Sequence, residues 1–190
     1  MKKILLATLL VFCAANIYAQ DAIDFRIQDD GGFLNYNNGK SYVVIPFEGK
    51  TKKDLYSKTL VAIIKAHNSR KDVISKVDGE IIAINGTIRD CVLLREMMGS
   101  RSFYSIRYIL QFQFKDGKVR VDAPVITRFF FFGDKINTIS LSGWLKRKEV
   151  FKDGRPNYLK QETIDGFNQP LNNLIKNILS NMDDKQEDDW

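Results

Sequence analysis

Few residues in this chain carry reaction chemistry. There is one histidine, His67, and there are two cysteines, Cys13 and Cys91. A Ser-His-Asp arrangement would have to use His67, which closes an apolar helical stripe, and no G-x-S-x-G turn accompanies it. H-E-x-x-H and Cys/His zinc patterns are excluded by the same counts. No G-x-x-x-x-G-K-[ST] run and no G-x-G-x-x-G run is present, so nothing in the sequence cradles phosphate and no cofactor is expected. Carboxylates remain as the only acid/base supply. Asp29-Asp30 and Asp183-Asp184 fall in polar end segments, poor places to hold a pair in fixed geometry. Catalytic, cofactor and metal residues are therefore expected to be none.

Apolar surplus is the other feature that could bind something. Phe129-Phe130-Phe131-Phe132 cannot all face one core from one strand. Phe129 and Phe131 continue a buried odd-numbered set, while Phe130 and Phe132 need cover from elsewhere. With Trp144 these two form the candidate ligand or interaction patch, the competing reading being that a neighbouring element packs on them.

The elements that position these residues start with a leader. Met1-Lys2-Lys3 is basic, residues 4–15 are apolar apart from Thr8, and Ala19 precedes the polar Gln20-Asp21. That is a secretory signal, cut after Ala19, and its apolar run is shorter than the ~20 residues a spanning helix needs. Cys13 would be a lipid anchor only with a small residue before it; bulky Phe12 stands there. Export implies a periplasmic, outer-membrane-associated or extracellular protein with no integral membrane span. Once the leader is removed Cys91 is alone, and it reads as a small buried hydrophobe.

Residues 20–40 are polar and glycine-rich, a flexible lead-in with at most a short strand near Phe33-Leu34. Residues 41–182 form a single domain, and 183–190 an acidic tail. Ser41–Phe47 is a strand. Thr51 caps a helix whose apolar stripe is Tyr56, Leu60, Ile63, Ile64 and His67. Residues 72–94 are strands interrupted by a turn or bulge at Asn85-Gly86. From Tyr104 to Phe114 large apolar residues alternate with mostly polar ones, and Asp116-Gly117 follows as a type I′ turn. That turn opposes Lys115 with Lys118, Phe114 with Val119 and Phe112 with Val121. Residues 135–158 are a short hairpin or an extended excursion. Ile164, Phe167, Leu171, Leu174, Ile175, Ile178, Leu179 and Met182 mark a last helix, kinked or restarted around Pro170. The fold class is α+β: a curved antiparallel sheet with helices on one face.

The stretches Tyr42-Val43-Val44-Ile45-Pro46-Phe47, Asp54-Leu55-Tyr56, Val77-Asp78-Gly79-Glu80-Ile81-Ile82 and Phe114-Lys115-Asp116-Gly117-Lys118 resemble the exported bacterial family known as domain of unknown function 4468. The resemblance runs from about Val43 to Ala123 and implies a TATA-binding-protein-like fold with β-α-β-β-β-β-α order. The family has no established activity, so it implies no site residue.

The 29 Lys and Arg against 23 Asp and Glu give a net charge of +6, divided between a basic body and an acidic tail. Scattered basic residues and export both argue against nucleic acid. The expected function is an exported, non-enzymatic binding or interaction module of the cell envelope. Its partner would be an unknown protein or an apolar or envelope ligand, held in a pocket between sheet and last helix or on a surface patch. The alternative is a carboxylate-dependent hydrolase.

Overall fold

The computed structural model describes residues 22–66, 73–77, 79–97, 100–131 and 137–182. The leader, Cys13, His67, Phe132 and the acidic tail lie outside the described residues.

Strand β1 (Phe25–Ile27) pairs with β2 (Phe33–Asn35) as a small hairpin. The main sheet takes β3 (Tyr42–Pro46), β4 (Val73–Val77), β5 (Ile81–Met97), β6 (Ser100–Lys115), β7 (Lys118–Asp122), β8 (Val125–Phe131) and β9 (Asn137–Ile139). Its order is β3-β7-β6-β5-β4, with β8 on β6 and β9 on β8, and all pairings are antiparallel. Helix α1 (Lys52–Ala66) follows β3. After β9 come α2 (Leu141–Arg147), a two-residue-strand hairpin of β10 (Phe151–Lys152) and β11 (Arg155–Pro156), a 3₁₀ turn (Tyr158–Lys160) and α3 (Gln161–Ser180). This is the α+β architecture expected, and its centre is the β6–β7 hairpin.

The β6–β7 register is as the alternation requires: Lys115 opposes Lys118, Phe114 Val119 and Phe112 Val121. Phe112, Val119 and Val121 are fully buried, each worth about 1.5–3 kcal/mol of burial before entropy. The turn is not type I′, however. Gly117 has φ 72° while Asp116 is not at positive φ, as type I′ would need at both positions. The β3–α1 loop holds it instead: Gly117 N donates to Lys50 O (2.9 Å) and Phe47 N to Gly117 O (2.8 Å). The two-residue I′ geometry appears in the second hairpin, where Asp153 and Gly154 have φ 52° and 73°.

Residues 22–40 are not a flexible arm. Ile23, Phe25, Ile27 and Phe33 are in the core, and two buried amides of α3 fasten β1. Phe25 N donates to Asn172 Oδ1 (2.9 Å), Asn172 Nδ2 donates to Phe25 O (2.9 Å), and Ile27 N donates to Asn168 Oδ1 (2.9 Å). The apolar residues alternate with Asp24 and Arg26, a three-residue strand pattern too short to stand out of its polar surroundings.

Three further elements differ in detail from expectation. The stripe of α1 is rotated: Leu55, Thr59, Ala62 and Ile63 are buried while Ile64 is 60% exposed. Thr59 can enter the core because its hydroxyl donates to Leu55 O (2.7 Å). Strand β5 runs through Asn85-Gly86 without a break, and its irregularity falls after Ile88, where Asp90 takes φ 48°. Gly86 makes room for Tyr108: a methyl there would overlap the phenol ring of its cross-strand partner. Helix α3 is continuous through Pro170, with no restart.

Candidate functional site

The expected pocket between sheet and last helix is filled. Phe167, Leu171, Ile175 and Ile178 of α3 and Ile82, Ile84, Leu110 and Phe112 of the sheet are all fully buried in one core. Gly166 brings the helix so close to β5 that a side chain there would collide with the Cys91 carbonyl.

Two of the three residues of the expected aromatic patch, Phe130 and Trp144, are not on the surface either. Phe130 is 3% exposed and Trp144 2%. A register shift at the Arg107–Tyr108 step of β6 puts Thr127 out of the ladder, so Ile126 opposes Tyr108 and Arg128 opposes Arg107. Phe129 then opposes Ile106 on the core side and Phe130 opposes Ser105 on the other, and both are buried. Phe131 is the exposed one, at 41%, its ring edge-on to Tyr104. Trp144 sits among Tyr104 (5.5 Å), Phe129 (5.0 Å) and Phe167 (6.4 Å), an aromatic cluster that ties α2 to the sheet and α3. Its burial follows from Ser140, whose hydroxyl caps α2 and starts a helix that residues 135–158 did not announce.

Cys91 is partly buried, and burial pushes its thiol up to about 12, so it stays protonated and unreactive at neutral pH.

A concavity of about 680 Å³ lies on the sheet face opposite the helices and at its turn end. Strand alternation dictates who faces it. Val43, Ile45, Val119 and Val121 point into the core, so Tyr42, Val44, Lys118 and Arg120 point out. Asp122 organises this face. Its Oδ1 accepts from Arg120 Nε (2.6 Å), and its Oδ2 accepts from Gln113 Nε2 (2.8 Å) and Gln111 Nε2 (3.0 Å). The Arg120 guanidinium in turn lies 4.1 Å from the centre of the Tyr42 ring.

The rim acids are also committed. Asp116 Oδ1 accepts from Lys52 N (2.7 Å), satisfying a free amide at the start of α1, and Glu80 pairs with Lys52 Nζ at 3.1 Å. Thr51 completes that helix start, its hydroxyl accepting from Asp54 N (3.2 Å) and donating to Asp54 Oδ2 (2.7 Å), which holds the Asp54 carboxyl below the usual range. Lys115 and Lys118 remain. They stand directly opposite each other, both exposed, and have no acid partner among the described residues. The period-two pattern and the Asp-Gly turn already put both lysines on the wet face; what they hid was that each nearby acid is taken by another group.

The three-dimensional comparison defines the class first. Two crystal structures share the fold: a DUF4468 family protein from Bacteroides ovatus ATCC 8483 and a TBP-like protein from Parabacteroides distasonis ATCC 8503. The first has a TM-score of 0.57 at 12% identity over 77% of this chain and 86% of that one. The second has a TM-score of 0.53 at 12% identity over 76% and 92%. The chain thus has a TBP-like α+β fold. The family model described as domain of unknown function (DUF4468) with TBP-like fold matches residues 42–127 of the chain. No curated protein matches the sequence. No helix among the described residues is long and apolar enough to cross a membrane.

Proposed function

We propose that this chain is an exported, non-enzymatic binding module of the bacterial envelope, and that the helix-free sheet face holds an anionic partner there. The observation that carries this reading is the Lys115–Lys118 pair. Like charges directly opposite on a sheet destabilise it, and here the pair stands beside the 680 Å³ concavity with no acid among the described residues to offset it. An anion bridging the two ammonium groups would relieve that repulsion. Tyr42 and the half-exposed Val44 supply apolar contact next to it.

A docking mode by strand addition is disfavoured at β3. Ser41 O accepts from Ala123 N and Phe47 N donates to Gly117 O, so residues 41, 43, 45 and 47 bond inward to β7. The outward positions are 42, 44 and 46. Pro46 has no N–H to offer, and Tyr42 O is already taken by Asn38 Nδ2 (3.1 Å). The face is therefore the contact surface rather than the edge. Hydrolysis by carboxylates has less support, because Asp116, Asp122 and Glu80 each serve a structural partner.

The test is binding of poly-glutamate to the purified chain at low and at physiological salt. Lys115→Glu with Lys118→Glu should weaken it at least tenfold. Lys53→Glu with Lys65→Glu, an equal charge change on α1, should weaken it far less. Equal losses in the two double variants would show a general charge effect and defeat the assignment.

A further inference from the structure

On the other side of the body a second groove, about 490 Å³, runs between β1 and α3. That size is within the ~300–1,000 Å³ of small-molecule sites. Its floor is one face of α3, where Gln161, Asn168, Gln169, Asn172 and Asn173 recur on successive turns. The charges are balanced: Asp24 and Asp165 against Arg26 and Lys176. Three of the four have partners within the groove wall. Asp24 pairs with Arg26 (2.7 Å), and Asp165 Oδ1 accepts from Gln161 Nε2 (2.8 Å).

We infer that this groove is a binding site for a neutral, polyhydroxylated ligand, an oligosaccharide. Side-chain amides offer both donors and acceptors, which is what hydroxyl groups require, and a groove of zero net charge has no preference for an anion or a cation. The key donor is built in. Asn168 is only 9% exposed, and its Oδ1 is locked by Ile27 N. Its Nδ2 makes no hydrogen bond to the described residues, and Asn168 is among the residues that line the groove. Those N–H groups are free to donate to a ligand hydroxyl in place of water. A stacking platform adjoins it through Arg26, which lines the groove. The Tyr36 ring is 65% exposed, and the Arg26 guanidinium lies 3.5 Å from its centre, braced in turn by Asp24. One ring face is covered, leaving the other for the C–H face of a sugar ring. The bond to Asp24 also raises the Arg26 pKa, so the brace keeps its charge at every physiological pH.

This inference is independent of the lysine-bearing sheet face. The experiment is a titration of the ¹⁵N-labelled full chain, expressed with its own leader, with maltotetraose, chitotetraose and xylotetraose, followed by NMR. At least one should shift the Asn168 side-chain amide and bind with a dissociation constant below about 1 mM. Gln169→Ala with Asn173→Ala removes only exposed side chains and should weaken that binding about tenfold, as loss of one or two hydrogen bonds does. Tyr36→Ala should weaken it comparably, and Lys115→Glu with Lys118→Glu should leave it unchanged. No shift with any of the three sugars up to about 10 mM, or equal binding by the groove variant, would overturn the assignment. So would shifts that map away from Asn168.

Discussion

Replacing Asn172 by alanine tests how the first hairpin is attached. Asn172 is 8% exposed and makes two bonds to one residue, accepting from Phe25 N and donating to Phe25 O, both at 2.9 Å. Alanine removes both and leaves two backbone groups of a fully buried residue unpaired. At about 1–3 kcal/mol for each orphaned group, the local loss is about 2–6 kcal/mol. The remaining tie, Ile27 N to Asn168 Oδ1, cannot hold the strand alone against that. Hydrogen exchange reads this directly. The amides of Ile27 and of Tyr36, which donates to Asp24 O at 2.8 Å, should lose protection together. A 3 kcal/mol loss corresponds to exchange faster by about 150-fold. Amides of β5 and β6 pair with each other and not with β1, so their protection should fall much less. If Ile27 and Tyr36 exchange as in the parent chain while Asn172 is gone, the hairpin is held by apolar burial alone and the reasoning fails.

Gly166→Ala should lower the melting temperature. A methyl there meets the Cys91 carbonyl oxygen and comes within 3.0 Å of Val92 Cα, both backbone and unable to swing aside. Overpacking of about 1–3 kcal/mol outweighs the ~1 kcal/mol helix gain of alanine over glycine at all but the low end. At about 2–4 °C per kcal/mol, a drop of several degrees is expected in a thermal melt. Gly143→Ala in α2, whose methyl would meet only Ser140 at 3.4 Å, should be neutral or stabilising; an unchanged melt for Gly166→Ala would refute the close approach. Cys91 should resist Ellman's reagent at pH 8 in the folded chain and react once urea unfolds it. Its folded pKa of about 12 exceeds the unfolded value of about 8.5, so the stability it contributes is complete below pH ~8.5 and is lost as pH rises toward 12. Stability that rises over that alkaline range on account of Cys91, seen as a difference from Cys91→Ala, would contradict the sign.

The legible part of this fold was the part where two local signals agree. In the β6–β7 hairpin the alternation from Tyr104 to Phe114 and the Asp-Gly turn select one register, and the sheet has it. In α3 seven apolar residues share a stripe that Met182 extends past the helix end, and Pro170 did not stop the helix. Single signals misled. Gly86 reads as a break because glycine usually marks one, yet its smallness serves the Tyr108 ring across the strand. Four consecutive phenylalanines read as surplus because only one face of β8 was given a core, yet Phe130 on the other face is covered as well. Neither Asn168 nor Asn172 looked structural, since a buried amide is recognisable only by the backbone it bonds, and that backbone is about 140 residues away. The binding surfaces were hidden for the same reason. Which lysine lacks an acid, and which amide lacks an acceptor, depends on partners brought together from distant segments.

The bond between Phe25 and Asn172 spans 147 positions of the chain. In a ribosome-made polypeptide the strand is synthesised well before the helix. Until residue 172 emerges, β1 has no seat, and Phe25, Ile23 and Ile27 have no apolar cover from α3. The central hairpin can form early from local pairing, but closure of the core is deferred until α3 is made. A nascent chain interrupted anywhere before α3 therefore carries an open apolar sheet face and an untethered amino-terminal segment. Only a chain that already includes α3 can bury β1.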